Sequence, residues 1–143
     1  MAKVLAVGVA TLDRIVLVER YPSANERVVA KETIQGFGGP AATAAVTMAR
    51  LGVDVSLSCV IGDDEAGRKI FDNLKSEGVD TRNIEIRSDI KTAIGTIVVS
   101  EATQSRAIMV QPHSEVGEKP ANIGEYGWIH VDQLGMNALK TWG

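Results

Sequence analysis

The chain has 143 residues, a formal charge of -3 and 45% hydrophobic residues, the proportions of one globular domain with a core of its own. Its 15 lysines and arginines are scattered rather than gathered into a stripe with aromatics, which excludes nucleic acid as an expected partner, and the single cysteine, Cys59, excludes an internal disulfide framework. No apolar run is long enough to span a bilayer, and Met1-Ala2-Lys3-Val4 leads straight into a strand-like run instead of a signal peptide, so no membrane partner and a cytoplasmic location are expected.

Val4 to Val9 is a short, continuous apolar run ending near a glycine, the pattern of a strand buried on both faces. Ile15 to Val18 and Arg27 to Thr33 read as further strands, separated by the turn-like Tyr21-Pro22-Ser23-Ala24-Asn25, and together make a small flap. Gly36-Phe37-Gly38-Gly39 reads as a loop giving way to a helix. From Pro40 to Leu51, Ala41, Ala45 and Met48 follow helical spacing, with Pro40 suited to the first turn and Gly52 to the end.

Val53 to Ile61 reads as a second buried strand. Asp63 or Asp64 then caps a helix with Ala66, Ile70 and Leu74 on one face and Gly78 at its end. Strand-like runs follow at Asn83 to Ile86, Thr92 to Ser100 and Arg106 to Gln111. A Pro/Gly-containing connector, Pro112 to Gly127, precedes a short strand, Trp128 to Val131, and a helix over Met136 to Trp142. Alternating strands and helices predict an α/β sheet of the doubly wound kind, with some antiparallel strands on one side. Such a pattern normally continues past a helix into another strand, so the end at Gly143 is expected to be a truncation that leaves a sheet edge and apolar faces prone to association.

Gly36-Phe37-Gly38-Gly39-Pro40-Ala41-Ala42-Thr43-Ala44-Ala45 is the most informative stretch, because glycines let backbone approach a ligand and alanines let the helix press on its neighbours. It lacks both Gly-x-Gly-x-x-Gly after a first strand and Gly-Lys-Ser/Thr, so neither a dinucleotide fingerprint nor a Walker loop is supported. His113 and His130 have no metal-like spacing. Cys59 sits in an apolar strand as a packing residue, and Asp63-Asp64-Glu65 is read as a helix cap rather than a metal site.

Val7-Gly8 with Asp13 downstream, then Gly38-Gly39-Pro40-Ala41-Ala42-Thr43-Ala44-Ala45, Ala49-Arg50-Leu51-Gly52 and Ile61-Gly62-Asp63-Asp64-Glu65-Ala66-Gly67, resembles the amino-terminal half of the ribokinase-like (PfkB) carbohydrate kinases, in register from residue 4 to about residue 100. The Gly-Gly-Pro-Ala-Ala-Thr variant, Asp13-Arg14-Ile15 and Val18-Glu19 look most like the sulfofructose kinase branch. The resemblance implies a ribokinase-like doubly wound sheet with a β-strand lid, formed by strands over about residues 13–37 and 92–111 inserted in the core of residues 1–143. It also implies an enzyme that moves the γ-phosphoryl of ATP, with Mg²⁺, onto a sugar hydroxyl, and a homodimer formed through the lid strands. The family's catalytic base and anion hole, Asp-Thr-x-Gly-Ala-Gly-Asp, have no match here. No catalytic or metal-binding residue is therefore assigned, and this polypeptide alone is expected to be inactive.

Carried over by position, Asp13 stands where an aspartate accepts hydrogen bonds from sugar hydroxyls, a task suited to the several lone pairs of a carboxylate. Thr11 replaces the asparagine common in ribokinases two residues before it. Gly38 and Gly39 stand where backbone amides face the sugar. Thr43 replaces a substrate-binding asparagine and Pro40 a polar residue, both changes arguing against ribose itself. Arg27, on the flap, could reach a sulfonate or phosphate at the far end of the substrate. No arginine follows Asp132 in Asp132-Gln133-Leu134, and Val110 is apolar where a polar residue could contact substrate; both depart from the sulfofructose pattern. Two readings of other classes stand beside the kinase: a non-catalytic sugar-binding or dimerisation module, and an unrelated α/β nucleotide-binding protein whose glycines cradle phosphate.

Overall fold

Two four-stranded sheets organise the chain in the computed structural model, which describes residues 3–111 and 117–143. The first sheet is wholly parallel, in the order β5 (Ile84–Arg87), β4 (Val55–Gly62), β1 (Val4–Val7), β8 (Trp128–Val131). Every residue of β4 is buried, as its unbroken apolar reading requires. α1 (Pro40–Arg50) and α2 (Glu65–Ser76) cover one face, where Ala6, Leu57 and Ile61 meet Ala41, Ala42, Ala45, Ile70 and Leu74. α3 (Gln133–Trp142) covers the other, packing Ala138 against Leu5 and Val7. Helices on both faces of a parallel sheet make the fold doubly wound.

Packing distance is set by side-chain size. The buried face of α1 is Ala41, Ala42 and Ala45, so its axis lies close to β1. α2 instead buries Ile70 and Leu74, each worth roughly 1.5–3 kcal/mol relative to exposure. Both helices end as expected: Gly52 and Gly78 take φ of 82° and 80°, and the amides of Val53 and Val79 reach back to the carbonyls of Met48 and Leu74. Of the two candidate caps for α2, Asp64 is the one used, accepting from Gly67 N–H at 2.8 Å. α3 starts three residues earlier than its apolar spacing suggests, because Asp132 caps it by accepting from Gly135 N–H at 2.9 Å.

The second sheet is the lid, in the order β3 (Glu32–Gly38), β2 (Thr11–Val18), β6 (Ile94–Ser100), β7 (Ser105–Val110). β2 runs parallel to β6, and the two outer pairs are antiparallel. Ile34, Ile108, Met109 and Val110 stay 46–55% exposed on it.

Three expectations are corrected here. The strand expected over 27–33 lies at Glu32–Gly38: Lys31 N–H closes on Leu17 O at 2.8 Å, pairing with β2 starts at Glu32, and Arg27 sits in the exposed connection before it. Gly36 and Gly38 are strand residues, not loop residues. β2 begins at Thr11 rather than Ile15, so Asp13 lies inside a strand. Residues 112–116 of the expected connector, with His113, fall outside the described residues; its remainder holds a 3₁₀ turn, Ile123–Glu125, and the buried Tyr126. No described helix is long and apolar enough to cross a membrane.

Candidate functional site

Thr11 and Asp13 lie two residues apart on β2, so both side chains leave the same face. The Thr11 hydroxyl donates to Asp13 Oδ1 at 2.9 Å, which orients the carboxylate and leaves its remaining lone pairs free. Room for it comes from the neighbouring strands. Gly38 of β3 pairs with Thr11, Gly95 of β6 pairs with Asp13, and a Cβ on either glycine would land on the Asp13 carboxylate. Gly38 of β3 therefore answers to the aspartate on the next strand.

Gly39 turns the chain from β3 into α1 with φ of 92°, pressed so closely on Val9 and Ala10 that a Cβ would meet the Ala10 Cα at 2.7 Å. Pro40 follows at the first helical position, where its missing N–H costs nothing. The next donors of α1 are already committed. Ala41 N–H points to Asp132 Oδ2 at 3.3 Å, Ala42 N–H to Val9 O at 3.2 Å, and Thr43 N–H to Gly39 O at 2.9 Å. The α1 terminus is thus closed to a phosphate, whereas Gly39 N–H has no hydrogen-bond partner among the described residues.

Two cavities meet at this turn and share Phe37, Gly38, Thr43 and Thr47. A wide, open cleft of about 760 Å³ brings Asp13, Gly38, Gly39, Pro40 and Thr43 together with His130 of β8. A narrower groove of about 280 Å³ runs from Thr11 between α1 and α2, past Asn73, to the Arg50–Glu77 ion pair, whose Nε–Oε2 distance is 2.7 Å. The cleft that holds Asp13 is the one suited to a polyhydroxylated ligand, because acceptor and turn both line it. Thr43 is exposed on α1 and lines both spaces, so it is not a packing residue.

Of the seven candidate residues, Asp13, Gly38, Gly39, Pro40 and Thr43 line the cleft, and Thr11 lines the adjoining groove. Arg27 is exposed in the connection after β2 and lines neither cavity. Sequence reasoning missed two residues at this end of the sheet. His130 faces the cleft because it pairs in register with Ala6, whose side chain lies on the α1 side. Asp132, whose carboxylate also bonds Val9 N–H at 2.7 Å, read only as part of a departure from the sulfofructose pattern.

Cys59 is an inert neighbour: buried in β4, its thiol is pushed up to about 12 by desolvation, with the Asp132 charge adding to the effect. Among the described residues, no group of three or more His, Cys, Asp or Glu could hold a metal ion.

The pfkB family carbohydrate kinase model matches residues 1–134. The ribokinase of Mus musculus is 31% identical over 145 residues, covering 98% of this chain and 45% of its own length. The crystal structure of a putative ribokinase from Agrobacterium tumefaciens superposes with a TM-score of 0.80 at 29% identity, over 92% of this chain and 44% of that one. Arabidopsis thaliana ribokinase complexed with ribose and ATP shares the fold, with a TM-score of 0.80 at 19% identity over 99% of this chain and 50% of that one. The chain spans about half the length of these proteins. A match over nearly the whole chain, on a fold that superposes, makes it a member of the pfkB family of carbohydrate kinases.

Proposed function

We propose that this chain supplies the sugar-binding half of an ATP-dependent carbohydrate kinase that phosphorylates a sugar hydroxyl. The observation that carries the reading is the Thr11–Asp13 pair, seated over the missing side chains of Gly38 and Gly95, with Asp13 lining the same open cleft as the Gly39 turn. Asp13 accepts hydrogen bonds from two neighbouring hydroxyls, Gly39 N–H donates to a third oxygen, and Pro40 and Thr43 shape the rim. ATP and Mg²⁺ supply the phosphoryl group and neutralise its charge. In this reading the residues described above hold the sugar, and none of them is assigned to ATP, Mg²⁺ or the catalytic base.

Pro40 and Thr43 argue against ribose itself, and the substrate of the same proposal is a ketose such as sulfofructose. A cytoplasmic location and a homodimer through the lid-sheet face on which Ile34 and Ile108 stand in register with Ile15 and Ile97 belong to the same proposal.

Calorimetric titration of the chain with D-fructose, sulfofructose, D-ribose, ATP and ADP tests the reading. The expected result is a millimolar or tighter sugar isotherm, abolished in Asp13→Ala, and no nucleotide isotherm. Nucleotide binding without sugar binding, or sugar binding indifferent to Asp13→Ala, would overturn it. Sedimentation of Ile108→Asp against the parent chain tests the dimer, since a charge on that face should leave a monomer.

A further inference from the structure

Three elements share the Asp132 carboxylate. Oδ1 caps α3 through Gly135 N–H at 2.9 Å, a bond that needs only one oxygen. Oδ2 accepts from Val9 N–H at 2.7 Å and from Ala41 N–H at 3.3 Å, residues 123 and 91 positions away in the chain. Val9 lies two residues before Thr11 and Ala41 two after Gly39, so a single oxygen ties the segment that delivers Thr11 and Asp13 to the one that delivers Gly38 and Gly39.

The surroundings are shaped for this contact. Gly8 has φ of 151° and a Cβ there would land on the carboxylate. Gly135 packs against Val7 O so tightly that a side chain would collide with it, which brings the α3 terminus up to β1. Val9 is held from its other side as well, its carbonyl accepting Ala42 N–H at 3.2 Å.

We infer that Asp132 is a positioning residue of the sugar cleft, clamping the Val9 and Ala41 segments so that Asp13 and the Gly39 turn keep the separation a sugar requires. The inference rests on the sugar-binding reading. Asp132 lines neither the cleft nor the groove; its effect passes through the backbone of Val9 and Ala41. A carboxylate is needed because one side chain must cap α3 and accept two further N–H donors at once.

Asp132→Ser separates the two tasks, since a serine oxygen caps a helix well but is too short to reach Val9 and Ala41. Amide hydrogen exchange followed by NMR should show Gly135 still protected and Val9 and Ala41 exchanging at least tenfold faster. The sugar that binds the parent chain best should bind at least tenfold more weakly, with the melting temperature within a few degrees. Gly8→Ala attacks the same contact from the opposite side and leaves Asp132 in place. It should weaken sugar binding alone and add little to the loss in Asp132→Ser, and it gives the same readout if the serine variant fails to fold. Unchanged exchange at Val9 overturns the clamp whatever the ligand. Faster exchange with unchanged sugar affinity overturns the positioning role. A parent chain that binds no sugar, with Val9 exchange raised in Asp132→Ser, overturns the sugar reading while supporting the tie between the two segments.

Discussion

Gly38 and Asp13 occupy one space from two strands: a Cβ on the glycine would land on the carboxylate of the aspartate. Gly38→Ala must therefore swing Asp13 off the Thr11 hydroxyl or push β3 out of register. Overpacking of this kind typically costs about 1–3 kcal/mol. Sugar affinity should fall by a larger factor than stability, because Asp13 is displaced before the sheet is. Titration and urea unfolding of the same variant compare the two losses; a variant destabilised as expected but binding normally would place the sugar elsewhere.

Thr11→Val keeps the shape of a buried β-branched residue and removes only the hydroxyl that holds Asp13 Oδ1. A hydrogen bond to a charged group is worth about 1.5–3 kcal/mol, which corresponds to roughly ten- to hundredfold in affinity if the orientation of Asp13 is what the sugar reads. Valine also suits a strand, so the melting temperature should change little. Calorimetry on this variant distinguishes an oriented carboxylate from a merely nearby one, since the latter predicts an unchanged isotherm.

The parallel core was legible because its signals are local. β1 and β4 are continuous apolar runs, α1 and α2 carry their own periodicity, and Gly52 and Gly78 announce their ends. The lid was less so. Gly36 and Gly38 look like a loop on their own, and the reason Gly38 is a strand residue sits on β2, in the room that Asp13 requires. Val28-Val29-Ala30 looks like strand, yet Val29 is 85% exposed: the lid's open face buries too little to fix a register from apolar pattern alone. Asp132 was unreadable for a third reason. A capping aspartate gives a local signal, but its partners Val9 and Ala41 are brought to it only by the packing of β1 between α1 and β8.

Cys59 should be silent in the folded chain. It is 3% exposed and its thiol is pushed up to about 12 by burial, so almost no thiolate exists near neutrality and reagent cannot reach the sulfur. Labelling by a disulfide reagent at pH 8 should proceed at the rate of unfolding and accelerate with urea in parallel with loss of structure. Rapid stoichiometric labelling of native protein would mean that β4 opens locally, contrary to its complete burial.

Asp64 makes the stability of the α2 end depend on acid. Burial pushes its carboxyl up, but the Thr92 hydroxyl at 2.7 Å, Thr92 N–H at 3.0 Å and Gly67 N–H at 2.8 Å outweigh it, and the net shift is downward from the ordinary 3.8. A carboxyl held below its unfolded value stabilises fully above that value and loses the contribution as pH falls through the folded one. Asp64→Ala should therefore cost about 1–2 kcal/mol at pH 7, in the range of a lost helix cap. The gap to the parent chain should close only below pH 3.8, as the parent's own carboxyl takes up its proton. Asp64→Asn should lose less at pH 7, because its carbonyl oxygen still caps Gly67, and should show a flatter acid limb. Urea midpoints for the three proteins between pH 7 and pH 3 measure this directly. A gap that stays constant down the whole series would mean that Asp64 acts through packing alone.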